Sequence, residues 1–248
     1  MYRFYLPSKQ WLLLEPQLNA SDTYHALHVL RRQKGDSILI FDGAGNQAVA
    51  KIIGIEQRRE PQAILSIGTH VTLPPPTCEL TLVQAVPKNK NMDLIIQKAV
   101  ELGASRIIPI LTERTILKNM NHEDAIKKQK RWQQIALEAC KQSGQNWLPL
   151  IEEPIELLTR IERLIPQERQ LLLIASLEAR KDTLKNVITR FPNPTAVTIM
   201  IGPEGDFTPQ EYRAASDCGF QPIDLGPIIL RTETAAFYCL SILSYEFK

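Results

Sequence analysis

The sequence lacks the long apolar segments that place a protein in or across a membrane. No stretch approaches the roughly 20 consecutive apolar residues that a membrane-spanning helix needs. The first residues, Met1 to Tyr5, do not form the apolar core of a secretory signal peptide. We therefore expect a cytoplasmic protein that does not contact a membrane.

Cysteine is scarce, and its arrangement argues against a disulfide framework and against a zinc centre. The 248 residues include four cysteines and four histidines. No two cysteines form a C-x-x-C pair, and no histidine stands at the spacing of a zinc ligand. We expect reduced thiols and no bound metal.

The sequence also lacks a large excess of positive or negative residues. The net charge of +2 excludes a globally basic nucleic-acid binder. Residues 1–72 carry eight Lys and Arg against six Asp and Glu, whereas residues 73–248 carry 21 of each. The cationic excess therefore lies in the N-terminal part. It is consistent with a local phosphate-binding cluster and equally with a solvated polar face.

The tripeptide Pro74-Pro75-Pro76 is the clearest sign of a domain boundary, because three prolines continue neither a strand nor a helix. We expect domains at 1–72 and 73–248. The first has β-branched and aromatic strand patterns and one helix with Ser21 as its N-cap, which fits a small β-barrel. Its predicted strands are Tyr2–Leu6, Ser37–Phe41, Gln47–Ile55 and Ala63–Val71.

After the prolines, strand and helix patterns alternate, which is typical of an open α/β fold with a parallel sheet. Thr208, Pro209 and Glu211 form the signature of a capping box at a helix start. Predicted strands are Glu79–Ala85, Arg106–Leu111, Leu171–Ala175, Val197–Ile201 and Ile223–Leu225; further helices are expected at Asp93–Leu102, Glu123–Ser143, Pro154–Leu164, Asp182–Arg190 and the C-terminus.

The segment Gly43–Ala48 matches the dinucleotide-binding pattern G-x-G-x-x-A in letters only. That pattern must open a helix, and here strand-like residues follow it. Asp42-Gly43 is instead a hairpin signal. We interpret the segment as a turn, which argues against an enzyme that uses a dinucleotide.

Two segments at strand ends have the composition of a functional site. Ile201–Phe207 contains two glycines and a proline between a buried strand and a capped helix, so that backbone can approach a ligand. Leu225–Ala235 combines Arg231 and Glu233 with two threonines at a helix start. Each segment alone is equally consistent with an ordinary strand–helix turn or with helix caps.

Together with Val86–Lys88 and Gln97–Gly103, these segments resemble the ribosomal RNA small-subunit methyltransferase E family, which belongs to the SPOUT methyltransferases. The similarity includes His28–Arg31 and extends along the whole chain, and Leu230–Ala235 is its most diagnostic part. The resemblance implies a PUA-like N-terminal barrel that docks RNA, an α/β domain with a C-terminal trefoil knot, and a homodimer. It also implies methylation of uridine N3 in 16S rRNA with S-adenosylmethionine.

Carried over residue by residue, the resemblance places the methyl donor against three loops. The implied donor-binding residues are Leu173, Ile201, Gly202, Pro203, Glu204, Gly205, Leu225, Gly226, Leu230, Thr232, Thr234 and Ala235. We assign Arg231 to stabilising negative charge on the uracil, and Glu233 to the role of base or orienting partner. Structural pairing of Arg231 with Glu233 is the alternative. The candidate RNA contacts are Arg31, Arg32, Lys88, Lys98 and Arg114.

The sequence departs from the family pattern at four positions. Asn89 and Asp206 replace glycines, and Gln145 and Ile229 stand where arginines are frequent. Loss of two cations affects the expected RNA contacts more than the donor site. A non-catalytic RNA-binding or ribosome-assembly factor on the same fold is the alternative function, and it should not bind S-adenosylmethionine.

Overall fold

The computed structural model describes residues 2–56, 59–88, 91–115, 120–162, 168–177 and 182–248. The chain divides into two compact units. One consists of Met1–Pro75 with Cys140–Leu148, and the other of Pro76–Ala139 with Pro149–Lys248. Each unit has its own hydrophobic core.

The first unit is built on a four-stranded sheet. In sheet order its strands are β1 (Arg3–Tyr5), β2 (Ser37–Phe41), β3 (Asn46–Glu56) and β4 (Gln62–Thr72). β1 is parallel to β2, and the other pairs are antiparallel. Along β3, Ala48, Ala50 and Ile52 are buried while the residues between them are more exposed, because successive side chains of a strand point to opposite faces. The four predicted strands are confirmed to within one residue at each end.

The segment Gly43–Ala48 forms the turn between β2 and β3 and the start of β3, as predicted. Asp42 Oδ1 accepts hydrogen bonds from the backbone N–H groups of Ala44 (2.8 Å) and Asn46 (3.1 Å). Gly45 has a φ of +94°, and a Cβ there would lie 2.6 Å from the Trp147 ring. Burial acts to raise the pKa of the Asp42 carboxyl, but these hydrogen bonds and those from Asn46 and Ser8 side chains hold it below its usual value.

The first helix begins two residues earlier than the sequence predicts. The N-cap of α1 (Ala20–Tyr24) is Asn19, whose side chain accepts a hydrogen bond from Asp22 N at 2.8 Å. Ser21, the predicted cap, lies inside the helix. Asparagine and serine are both good N-caps. Asn19 is the cap here because its backbone is extended, with φ −63° and ψ 163°, as an N-cap requires. The helix continues as a π-helical turn, His25–Val29.

This correction can be tested by paired alanine substitutions. Asn19→Ala should lower the free energy of unfolding by about 1 kcal/mol, because an N–H of the first turn loses its acceptor. Ser21→Ala should change it by less than about 0.5 kcal/mol, since the exposed Ser21 caps nothing. Urea denaturation measures both. A larger effect at Ser21 than at Asn19 would contradict the assignment.

The second unit contains a parallel sheet of eight strands. The strands are β5 (Glu79–Ala85), β6 (Arg106–Leu111), β7 (Leu150–Ile151), β8 (Ile155–Glu156), β9 (Gln170–Ala175), β10 (Asp182–Thr183), β11 (Ala196–Ile201) and β12 (Gln221–Asp224). Their order is β10-β12-β9-β11-β5-β6-β7, and β8 also pairs with β6. The central strands β9 and β11 are buried almost continuously, as strands covered on both faces must be. The predicted α/β fold with a parallel sheet is confirmed.

The remaining helices are α2 (Asn91–Glu101), α3 (His122–Ser143), α4 (Leu157–Glu162), α5 (Leu184–Arg190), α6 (Pro209–Asp217) and α7 (Thr232–Phe247). The predicted capping box of α6 is present, with Glu211 N donating to Thr208 Oγ1 and Thr208 N donating to Glu211 Oε2. Within the described ranges, no helix is long and apolar enough to cross a membrane.

Two predicted helices begin later than the sequence suggests, because sheet pairing takes their first residues. Ile155–Glu156 pair with β6 before α4 begins at Leu157, and Leu164, the predicted end, lies outside the described residues. Asp182–Thr183 pair with β12 before α5 begins. The Thr183 side chain then caps α5 by accepting from Asn186 N at 3.2 Å.

Candidate functional site

A cavity of about 260 Å³ lies where three neighbouring parallel strands end. β12, β9 and β11 are adjacent in the sheet, so their carboxyl ends meet at one edge although they are far apart in sequence. The loops that follow these strands and the start of α7 form the walls. The lining residues are Ala175, Ser176, Leu177, Ile201, Gly202, Pro203, Glu204, Asp206, Asp224, Leu225, Gly226, Ile229, Leu230, Arg231, Thr232 and Ala235.

The loop after β11 approaches the cavity with bare backbone. A Cβ on Gly202 would lie 3.1 Å from the Phe207 ring, so a side chain there would require the ring to move. Pro203 and Asp206 close a β-turn, with Asp206 N donating to Pro203 O at 2.9 Å. Asp206 has a φ of +61°, a left-handed conformation that aspartate tolerates better than most residues. This explains how the turn accommodates aspartate where the family has glycine.

A buried phenol fixes the Asp206 side chain. Tyr212 Oη donates to Asp206 Oδ1 at 2.8 Å, and the Tyr212 ring packs edge-on against Phe207 with a centroid distance of 5.5 Å. Burial raises the pKa of Tyr212 far above its usual value, while hydrogen bonds with the Ser176 side chain and Leu177 backbone lower it. Tyr212 therefore remains a neutral donor that connects the loop after β9 with the loop after β11.

Thr232 joins the start of α7 to two strands. Its hydroxyl donates to Gly202 O at 2.8 Å and accepts from Gln84 Nε2 at 2.9 Å. Gln84 lies on β5, is fully buried and also donates to Ala85 O at 3.0 Å. The position of the Leu225–Arg231 loop is therefore fixed by a hydrogen-bond network that is largely closed to water.

The described lining residues include three carboxylates, Glu204, Asp206 and Asp224, and the guanidinium of Arg231. Glu204 Oε1 accepts from Lys88 N at 3.2 Å, and Asp224 Oδ1 accepts from Gly226 N at 3.2 Å. Gly226 has a φ of +115°, which only glycine adopts without strain. Within the described residues, no group of three or more His, Cys, Asp or Glu is arranged to hold a metal ion. The chemistry of this site is set by its carboxylates, backbone groups and apolar walls.

Arg231 and Glu233 are separated in the structure. Arg231 is the exposed N-cap of α7, lines the cavity, and makes no side-chain hydrogen bond or ion pair within the described residues. Glu233 does not line the cavity, and its Oε1 accepts from Asn91 Nδ2 at 3.3 Å. The alternative that the two residues pair with each other is therefore wrong for this structure. The Arg231 guanidinium remains available to a ligand.

The candidate RNA contacts in the second unit differ in what they already bind. Lys98 forms an ion pair with Glu101 at 2.7 Å. Arg114 donates to the carbonyl oxygens of Gly205 and Phe207 and so supports the loop beside the cavity. Lys88 is exposed and stands next to the described end of its segment, since Asn89 lies outside the described residues. Within the part of the chain that the structure describes, the Lys88 side chain has no hydrogen bond or ion pair, unlike those of Lys98 and Arg114.

The candidates in the first unit also differ. Arg31 is exposed and has a φ of +54°, a strained conformation for arginine. Arg32 lies over the Tyr2 ring, 5.1 Å from its centroid, and is 3.8 Å from Asp36. Arg32 thus has structural partners that Arg31 lacks. Gln145, which stands where the family pattern often has arginine, accepts a hydrogen bond from Arg3 Nη1 through its backbone carbonyl at 3.3 Å.

Nine of the twelve donor-binding residues implied by the resemblance line the cavity, while Leu173, Gly205 and Thr234 do not. Leu173 is buried in the middle of β9, and the strand reaches the cavity only at its end. Six other lining residues were not among the donor-binding residues implied by the resemblance: Ala175, Ser176, Leu177, Asp206, Asp224 and Ile229. Of these, Ala175 and Ser176 lie at the strand end that the resemblance places beside the donor, and Asp206 and Ile229 lie in the two segments with the composition of a functional site. Gln84, which supports the wall through Thr232, was also missed. A polar residue inside an apolar strand was the available signal for it.

Comparisons with known proteins agree along the whole chain. The family model of an RNA methyltransferase domain matches residues 74–244, and that of an RNA methyltransferase PUA domain matches residues 18–66. A Synechocystis protein named ribosomal RNA small subunit methyltransferase E is 32% identical over 97% of this chain and 76% of its own length.

Two solved structures are also similar. A methyltransferase of Legionella pneumophila in complex with bound SAM has a TM-score of 0.86 and 31% identity, covering 99% of this chain and 97% of the other. A ribosomal RNA small subunit methyltransferase E of Neisseria gonorrhoeae bound to S-adenosyl methionine has a TM-score of 0.83 and 31% identity, covering 100% and 98%.

Proposed function

This chain belongs to the ribosomal RNA small subunit methyltransferase E family of RNA methyltransferases, and we propose that it uses S-adenosylmethionine to methylate N3 of one uridine in 16S ribosomal RNA. The observation that carries this proposal is the cavity at the ends of β9, β11 and β12. Its walls contain the Gly202–Glu204 and Leu225–Ala235 segments that the family resemblance marks.

The residues of the cavity suit this methyl donor. Leu177, Ile201 and Leu230 supply apolar surface for an adenine ring, and the bare backbone at Gly202 allows close approach. Among the described lining residues, three carboxylates and one guanidinium favour a ligand with net positive charge, and the donor carries a sulfonium, an ammonium and one carboxylate. Most hydrogen bonds to the donor would come from backbone groups of the two glycine-containing loops.

The cavity residues also suit the reaction. S-adenosylmethionine supplies the methyl group, and its sulfur keeps the electron pair of the broken bond. Uridine N3 forms the new bond and loses its proton, so negative charge develops on the uracil oxygens. Arg231 donates hydrogen bonds to these oxygens. Glu233 lies outside the cavity, two positions after Arg231 at the start of α7, and is the candidate base or orienting partner for the N3 proton. Because N3 lies on the base-pairing edge, the base must be unpaired on entering.

The proposal includes the knot, the homodimer and the cytoplasmic location that the family resemblance implies. The sheet order supports a knot, since the chain passes from β11 across β9 to β12 before α7 returns to contact α2, β5 and β11. Exposed Ile228 and Ile229 beside the cavity support a second copy at this face. Sedimentation equilibrium should give twice the monomer mass.

Mass spectrometry of 16S rRNA tests the activity. RNA from cells that lack this protein should have lost one 3-methyluridine, and the purified protein with S-adenosylmethionine should restore it. An Arg231→Ala protein supplied at the same concentration is the matched control. A protein that binds 16S rRNA but neither binds the donor nor restores the nucleoside would be an assembly factor, and the proposal would be wrong.

RNA docking by the first unit predicts a specific salt dependence. Arg31→Glu should weaken RNA binding and lower the slope of log K against log salt by about one, the amount expected for one lost phosphate contact. Arg31 is the better choice because charge reversal at Arg32 would also disturb Tyr2 and Asp36. Lys185→Glu, on the exposed side of α5, matches the change in net charge. Equal slopes for Arg31→Glu and wild type would exclude this contact.

A further inference from the structure

Asp206 presents a carboxylate to the cavity in a fixed orientation. The left-handed backbone at Asp206 and the hydrogen bond from Tyr212 to Oδ1 determine where the side chain lies. A Cβ on Gly202 would be 3.4 Å from Oδ1, so the carboxylate stands directly against the bare backbone of the β11 loop. Within the described residues, Oδ2 makes no hydrogen bond. One oxygen is therefore held by Tyr212, and the residue lines the cavity.

The charge balance of the cavity depends on this residue. Among the described lining residues, Glu204, Asp206 and Asp224 carry negative charges and Arg231 carries a positive charge. Glu204 is exposed and its charge is well screened by water, whereas Asp206 is half-buried beside apolar wall. Asp206 also accepts a hydrogen bond from Tyr212, whose side chain is neutral and buried.

The donor and its demethylated product differ mainly in charge. S-adenosylmethionine has a sulfonium where S-adenosylhomocysteine has a neutral thioether, and their other groups are the same. Apolar walls and backbone hydrogen bonds cannot distinguish them well, since one methyl group changes affinity only modestly. A fixed carboxylate can, because it attracts the positive charge that only the donor carries on sulfur.

We propose that Asp206 is a specificity-determining residue that makes the cavity prefer the cationic donor over the neutral product, and so limits product inhibition. This inference rests on the proposed function. It does not require a direct contact, because the attraction of a half-buried charge extends across a cavity of this size. A glycine at this position would form the turn but carry no charge. Asp206 forms the same turn and also favours the cationic donor.

Isothermal titration with both ligands tests the inference on the full-length protein. Asp206→Asn removes the charge, keeps an oxygen that can accept from Tyr212, and suits a left-handed backbone. We expect it to bind S-adenosylmethionine about three- to tenfold more weakly, the effect of one partly screened charge, with little change for S-adenosylhomocysteine. Asp217→Asn on the exposed side of α6 is the matched control and should leave both affinities unchanged.

The salt dependence of binding gives an independent readout. A higher salt concentration should reduce the ratio of the wild type's affinities for S-adenosylmethionine and S-adenosylhomocysteine, and should leave that ratio nearly unchanged in Asp206→Asn. Equal weakening of both ligands in Asp206→Asn would show that Asp206 only shapes the turn, and would overturn the inference. So would a wild type that restores 3-methyluridine but binds both ligands equally; in that case the proposed function stands. A wild type that binds neither ligand would overturn both.

Discussion

Replacing Arg231 with alanine is expected to lower the single-turnover rate of rRNA methylation by about 10²–10³-fold, the usual effect of losing one donor to a developing oxyanion. Donor affinity should stay within a few-fold of wild type. The structure gives the reason, because the Arg231 side chain makes no hydrogen bond or ion pair within the described residues and so supports no other part of the wall.

Arg231→Lys separates charge from geometry. An ammonium supplies the positive charge but cannot donate to two oxygens in the planar arrangement of a guanidinium, so we expect only partial rescue of the rate. Measurement of donor affinity on the same proteins is the essential control. Parallel losses of rate and donor affinity in Arg231→Ala would mean that Arg231 holds the donor or its loop, and the catalytic role would be wrong.

Replacing Thr232 with valine should have the largest effect on stability. Valine has the shape of threonine but removes the donor to Gly202 O, which is part-buried, and one of the two acceptors of the buried Gln84 Nε2. Each unsatisfied buried group costs about 1–3 kcal/mol, so we expect a loss of about 2–4 kcal/mol from the free energy of unfolding. Because the same hydroxyl positions the wall, donor affinity should fall at least tenfold.

Thr232→Ser is the matched control, since it keeps the hydroxyl and loses only a methyl group. It should retain most of the donor affinity, and thermal unfolding should place its melting temperature well above that of Thr232→Val. If serine and valine are equally harmful, the methyl group rather than the hydrogen-bond network positions α7. If both are neutral, the network has no part in the site.

Most helices and strands could be predicted from short patterns in the sequence. The capping box of α6 needs only three residues and four positions of sequence, so it could be identified without the structure. The continuous apolar runs of β9 and β11 predicted strands buried on both faces. The errors have two sources: two local signals compete at the start of α1, and sheet pairing takes the first predicted residues of α4 and α5. Asn19 and Ser21 are both good caps, and only the extended backbone at Asn19 decides between them.

The candidate site was less predictable because it is assembled from distant parts of the chain. Gln84 and Thr232 are 148 positions apart, and nothing in either segment predicts the bond between them. The contact of Tyr212 with Asp206 joins a helix to the turn before it, and the turn has a left-handed φ at Asp206 that the sequence does not predict. Family resemblance supplied the loops, and the contacts between them came from the structure.

The segment Cys140–Leu148 belongs to the first unit although 64 residues of the second unit, Pro76–Ala139, precede it. It is bound to the β2–β3 turn by backbone hydrogen bonds, Gly45 N to Asn146 O and Leu148 N to Gly43 O. During synthesis the N-terminal sheet therefore leaves the ribosome well before the Cys140–Leu148 segment, which is the last part of the first unit to be made. At about 5–20 residues per second, that delay lasts several seconds. Until then the apolar surface beside the β2–β3 turn, where Trp147 finally packs, is open to chaperones.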